Sequence, residues 1–397
     1  TPNGVGGTTI SGSGQPSTYV DAENPDMIYI GTGDRDAGDA PGLGVWRSID
    51  GGTEWEPWNN GMGNVTVSRM VQHPDDPQII LAATSGGMYR TANGGAFWTQ
   101  SRSGNFKEVV FKPDNADVVY AASGGTFYRS TNNGVSYTVV NSGLPGGARG
   151  VIGVSPANPE IVYFLLTNYD SFKGVYLSED AGLSFTVRST SPNIMSWDCN
   201  GGPGGQAWYD LDIAVDPLDA SIIYAGGVNC FKSINGGLSW AIRSHWYGGC
   251  GVQSVHADLH VLEYSPINHR LYVGNDGGFY WTEDGGVSWT EISNGLVISQ
   301  AYKIGQSKTN PDFVINGYQD NGTSVVNGNT WIAVGGGDGM ECAYDPADQR
   351  YSYYTLYYGV ITRNFNNNGN GQIAGQGVNG INESGAWVTP FLIDHED

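Results

Sequence analysis

One eight-residue pattern, Ser/Thr-x-Asp/Asn-x-Gly-x-x-aromatic, recurs six times along this 397-residue chain and constrains its fold more than any other feature. The copies are SIDGGTEW at 48–55, TANGGAFW at 91–98, STNNGVSY at 130–137, SEDAGLSF at 178–185, SINGGLSW at 233–240 and TEDGGVSW at 282–289. Each spells a tight turn. Glycine reaches positive φ without steric cost, the Asp or Asn accepts nearby backbone N–H groups, and the aromatic enters the next strand and packs. A fixed period of this length points to a repeat architecture rather than to separate domains.

A second signal precedes the turns by about 20 residues: a Pro/Asp turn followed by a β-branched strand. Asn24-Pro25 leads into Ile28-Tyr29-Ile30, Pro113 into Val118-Val119-Tyr120, and Asp216-Pro217 into Ile222-Ile223-Tyr224. Each unit therefore reads as four short strands in about 40–50 residues, which is a propeller blade. Residues 312–331 and 345–368 keep the strand rhythm without the turn pattern. The expected fold is all-β, a single β-propeller of about eight four-stranded blades spanning 1–397. The alternatives are seven or ten blades, or the front part of a tandem propeller. The units run approximately 17–58, 65–100, 105–140, 147–188, 207–242, 254–292, 298–333 and 338–368, and 381–397 either closes the ring or starts a further unit.

Composition narrows the function classes. A net charge of −21 repels phosphate backbones and argues against nucleic acid as a partner. No run of about 18 apolar residues is present, so no membrane-spanning helix is expected. Few basic residues, four cysteines and a first residue that is Thr1 rather than Met suggest a secreted or cell-surface bacterial protein, with a signal peptide removed or the chain a piece of a longer one. Gly-x-Ser-x-Gly elbows, phosphate-binding glycine loops and Cys-x-x-Cys pairs are missing from the sequence.

The six turns resemble the Asp-box (bacterial neuraminidase) repeats of sialidases, of sortilin-type receptors and of the xyloglucan-cleaving glycoside hydrolases built from two propellers. The resemblance covers nearly the whole chain and implies the fold, since the box is a scaffold turn without chemistry of its own. It also implies two site residues. Trp208-Tyr-Asp210 before an Ala-x-Asp-Pro turn is similar to the stretch that carries the general acid in the xyloglucan-cleaving family, placing that role on Asp210. Tyr29-Ile-Gly-Thr-Gly-Asp34 is similar, with one extra residue, to the pattern before the family's general base, placing that role on Asp34. A sialidase needs a cluster of arginines for its substrate's carboxylate, and few arginines fall near the proposed site.

In a blade, the loops joining strands two to three and four to one share a face, and the candidate residues collect there. Asp34, Asp36 and Asp39 lie in one such loop, as an acidic solvated segment, a calcium site or a source of a base. His256, Asp258 and His260 alternate along a presumed inner strand and suit a hydrogen-bonded lining, a metal or proton shuttling. Asp276, Asp320, Asp338 and Glu341 add further acids, and Trp197, Trp208, Tyr209, Trp246, Tyr247 and Tyr318 add aromatic faces of the sort pyranose rings stack on. Cys199 and Cys250 lie in loops opening neighbouring units, so a disulfide between them is expected, with Cys230 as a rival partner and Cys342 as a buried thiol.

The expected function is hydrolysis of polysaccharide or surface glycan. Asp210 is the acid, desolvated by Trp208, and Asp34 is the base, kept ionised by solvent and Arg35. The two lie on opposite blades, so an inverting outcome is expected. No cofactor is required, and calcium is a possible addition. The alternatives are a non-catalytic propeller for adhesion or protein binding, with other domains of a longer chain as possible partners, and a polysaccharide lyase using His256 or His260 with a tyrosine.

Overall fold

A computed structural model describes residues 17–394 except 22, 37, 39, 297 and 368. It contains eight four-stranded antiparallel sheets, each a meander of four strands consecutive in sequence. The only helical element among the described residues is one 3-10 turn, Tyr357–Gly359. The fold is all-β and its eight sheets are blades of the β-propeller kind. They divide into two compact units, 1–275 with 279–292, and 276–278 with 293–397.

The first unit holds six blades. Their first strands are Thr18–Val20, Val67–Gln72, Glu108–Lys112, Arg149–Val154, Asp212–Val215 and Leu259–Tyr264. Each hydrophobic core is a layer between consecutive blades. Val151, Leu165 and Val175 of the fourth, for example, pack against Ile213, Ile223 and Phe231 of the fifth. Second strands are buried on both faces, as in Val162–Thr167 and Ile80–Thr84, so they read as continuous apolar runs rather than alternating ones. The second unit holds the seventh and eighth blades, cored by Ile315, Val325, Val334, Cys342, Tyr344 and Tyr354. Within it, residues 375–394 form no strand among those described. They fold back on the 3-10 turn instead, where Gly385 N–H donates to the Tyr358 carbonyl at 2.9 Å.

All six repeated turns join the third and fourth strands of their blades. The fourth shows the local logic. Ser178 Oγ accepts from Gly182 N–H at 2.8 Å and donates to Asp180 Oδ1 at 2.7 Å, while that carboxylate accepts from the Leu183 and Ser184 N–H groups. Gly182 sits at φ +78°, with the Tyr120 ring 2.9 Å from where a Cβ would stand, so both conformation and space demand glycine. The closing aromatics Trp98, Tyr137, Phe185 and Trp289 are buried.

The last two blades show what the turn must accomplish. In five of the six repeats a turn N–H donates to a carbonyl of the turn between strands one and two, as in Gly51 to Asp26 and Ala181 to Glu160, both at 2.9 Å. Gly328 makes that bond to Asp312 at 3.1 Å and Asn366 makes it to Arg350 at 2.8 Å, in blades that lack the repeat. There, as in those five repeats, the donor has positive φ, Gly328 at +59° and Asn366 at +50°, so the bond forms without the Ser–Asp scaffolding.

Candidate active site

The candidate residues of the first unit converge where its first strands begin. The segment before the fifth blade is not yet strand at Asp210. Tyr209 and Asp210 N–H groups both donate to the Gln206 carbonyl, at 2.7 and 3.2 Å, so 206–210 is a turn and the strand starts at Asp212. Residues 208, 210 and 212 therefore do not alternate along one strand. The alternation expected through His256, Asp258 and His260 fails for a similar reason. Asp258 has φ +65°, the strand starts at Leu259, and its register shifts between Leu259 and Val261.

The turn brings Asp210 to Asp258. Gln206 Nε2 donates to Asp258 Oδ1 and lies 3.4 Å from Asp210 Oδ2, so one amide bridges two acids. Asp210 is 1% exposed, and its Oδ1 is buried with no hydrogen-bond partner. Burial first, and then the charge of Asp258, raise its pKa well above the usual carboxylate range, against weaker opposition from Gln206 and Arg149. Tyr209 contacts the His260 ring edge to face at 4.7 Å and Trp208 at 5.5 Å, and Trp208 stacks on Tyr169 at 5.9 Å. His260 is buried and His256 is half-buried.

Arg149, which sequence reasoning missed, ties this segment to the loop of the first blade. Its Nη1 donates to the carbonyls of Trp208 at 2.7 Å and Tyr209 at 2.8 Å, and lies 3.3 Å from Asp36 Oδ1. Lys107 approaches the same oxygen at 3.1 Å and Arg35 the other at 2.9 Å. Burial alone would raise the Asp36 carboxyl, but the three cations outweigh it and hold it at about 2. Arg149 is itself drawn down to about 10 by burial, with Asp36 resisting. Arg35 pairs with Asp36, and a calcium ion there would share its carboxylate with three positive side chains, while Asp39 lies outside the described residues. Asp34 is buried rather than solvated, and its Oδ1 accepts from the Asp36 N–H at 2.8 Å.

Beneath this layer, Arg69 pairs with Glu108 at 3.0 Å, and Asp212 Oδ2 accepts from Leu262 N–H at 2.7 Å. Burial raises both Glu108 and Asp212. The signal that could have revealed this ring, and Arg149 with it, is a charged residue near the start of several otherwise apolar first strands.

The remaining candidates divide. Trp197, Trp246 and Tyr247 are exposed at 41%, 39% and 69%, on loops of the first unit. Those loops are joined by the Cys199–Cys250 disulfide, as expected from the sequence, while Cys230 and Cys342 are buried free thiols. Asp276, Tyr318, Asp320, Asp338 and Glu341 belong to the second unit. There the Asp320 N–H donates to Asp338 Oδ1 at 2.9 Å, and Glu341 pairs with Lys303 at 3.2 Å.

No protein-family model matches the chain, and no curated protein matches it either. Among solved structures it is similar to an ancestral GH74 enzyme, at 16% identity over 92% of this chain and 62% of that one, with a TM-score of 0.49. It is similar to the GH74 enzyme of Niastella koreensis at 17% identity over 93% and 63%, with a TM-score of 0.44. It is also similar to Sqt1 of Chaetomium thermophilum at 13% identity over 86% and 94%, with a TM-score of 0.48. The chain thus spans under two thirds of the length of the two GH74 structures.

Proposed function

We propose that this chain is a secreted glycoside hydrolase acting on polysaccharide, with Asp210 as its general acid. The observation that carries the reading is the buried Asp210 beside Asp258. Burial and the neighbouring acid both favour the protonated carboxyl, which is the state a proton donor to a glycosidic oxygen requires. Gln206 holds both acids, and Arg149 orients the turn through its carbonyl bonds. Asp34 is the base in this reading. Its loop is tethered to the Asp210 segment through Asp36 and Arg149, which supports action on a common substrate. His256 and His260 orient substrate hydroxyls, and Trp197, Trp246 and Tyr247 present exposed faces for sugar rings. The repeated turns are Asp-boxes in this reading, and the disulfide fits an oxidising, extracellular setting.

The near-complete burial of Asp34 and Asp210 favours a second reading, a non-catalytic propeller that binds glycan or protein through its exposed aromatics. A screen of plant and algal polysaccharides for new reducing ends separates the two. On a substrate so found, Asp210→Asn should lower kcat by about 10²–10⁴-fold. Retention on immobilised glycan without new reducing ends would support the binding reading, and unsaturated product ends would assign a lyase built on His260 and Tyr209.

A further inference from the structure

The disulfide has a third neighbour. Cys199, Cys250 and His245 place their sulfur and imidazole ligand atoms within 4.8 Å of one another. His245 is 2% exposed, and its Nδ1 is buried with no hydrogen-bond partner. A buried imidazole nitrogen left unsatisfied costs free energy, and the same ring lies with the two sulfurs in a soft donor set. Tetrahedral zinc, with Zn–S of about 2.3 Å and Zn–N of about 2.0–2.1 Å, places its ligand atoms roughly 3.5–3.8 Å apart. The 4.8 Å bound on the cluster admits that spacing once the two sulfurs, bonded here, part by about 1.7 Å.

The loops hold this arrangement without the S–S bond. Asn229, 1% exposed, donates from Nδ2 to the Ser196 carbonyl at 3.0 Å and the Trp197 carbonyl at 3.2 Å, and accepts from Trp246 N–H at 3.0 Å. One side chain thus clamps the segment before Cys199 to the residue after His245. His245 N–H also donates to the Gln253 carbonyl at 3.2 Å, closing the loop that carries Cys250. Gly249 at φ +121° and Gly251 at φ +73° flank Cys250, itself at φ +57°, in a turn that glycine makes sterically cheap.

We propose that Cys199, Cys250 and His245 form a redox-gated zinc site: a disulfide when oxidised, and a three-ligand zinc site with one open position when reduced. In the opening step a phosphine or dithiol donates two electrons to the S–S bond. With a phosphine, water supplies the oxygen of the phosphine oxide and the two protons of the thiols. Zinc then binds both sulfurs as thiolates, releasing those protons, with neutral His245 as third ligand.

The test loads Zn²⁺ onto the protein with and without phosphine reduction and measures uptake against a chromogenic chelator, with circular dichroism recording the fold. The reduced protein should take up one zinc per chain and the oxidised protein none. His245→Gln should weaken uptake at least tenfold, Cys199→Ser with Cys250→Ser should abolish it, and Cys230→Ser or Cys342→Ser should leave it intact. Equal uptake by oxidised and reduced protein, undiminished uptake by His245→Gln, or unfolding on reduction would each overturn the proposal.

Discussion

Asp180 in a repeated turn and Asp210 at the start of the fifth blade are the same residue type in opposite settings. Asp180 accepts from two backbone N–H groups and two serine hydroxyls and is held at about 2, and Asp284 in the sixth blade's turn is held there in the same way. Asp210 is buried beside a second acid and is pushed well above its ordinary value. The turn's surroundings favour the ionised carboxylate that organises backbone, and the inner one's surroundings favour the protonated form. Repetition therefore marks scaffold in this molecule, and perturbed carboxyls collect where the repeat is broken by an unmatched charge.

That contrast breaks hardest at Arg149. Arg149→Ala removes a cation from the buried Asp36 carboxylate and a donor from two half-buried carbonyls, and should cost about 3–5 kcal/mol in urea unfolding. A loss below about 1 kcal/mol would mean that water substitutes for the guanidinium and that the inner cluster is no more demanding than the turns.

On the turn side, Ser178→Ala leaves the Gly182 N–H without its acceptor and the Asp180 carboxylate without a donor. It should cost about 1–2 kcal/mol by the same measurement. Ser48→Ala and Ser130→Ala, which remove the same bonds in other blades, should match it, since each turn is held locally. Unequal losses would show that blade context rather than the turn sets the cost.

The two settings also predict opposite pH slopes. Asp180 and Asp284 are depressed in the folded state, so their stabilisation is complete above the ordinary 3.8 and is lost as pH falls towards about 2. Asp210 is raised, so its contribution is full below 3.8 and is lost as pH rises through its folded value. In urea midpoints followed against pH, Asp180→Asn should flatten the acid limb, and Asp210→Asn should flatten the decline on the other side. A steeper decline in Asp210→Asn would mean that the inner carboxyl is ionised in the fold.

The smallest effect belongs to Asp210→Asn itself. A neutral isostere replaces a side chain whose ionised form is disfavoured by burial and by Asp258, so thermal stability at neutral pH should stay level or rise. A loss comparable to that of Arg149→Ala would show that Asp210 serves the scaffold rather than the chemistry.

The blades were legible in the sequence because a turn is a local object. Ser178, Asp180, Gly182 and Phe185 interact within eight residues, so spacing alone names the geometry and the strands on either side of it. The Cys199–Cys250 pairing was legible too, because neighbouring blades place their entry loops side by side. The inner cluster was only half legible. Resemblance and local pattern marked Asp34, Asp210 and Asp258, but nothing near Gln206 or Arg149 in sequence announces their partners 52 and 59 residues away. Nor does alternation survive where Asp258 turns left-handed and 206–210 coils before its strand begins. Which carboxylate carries a proton was decided by tertiary structure alone. Burial and the approach of one charge to another are properties of the packed blades, and the string Trp-Tyr-Asp-Leu-Asp contains neither.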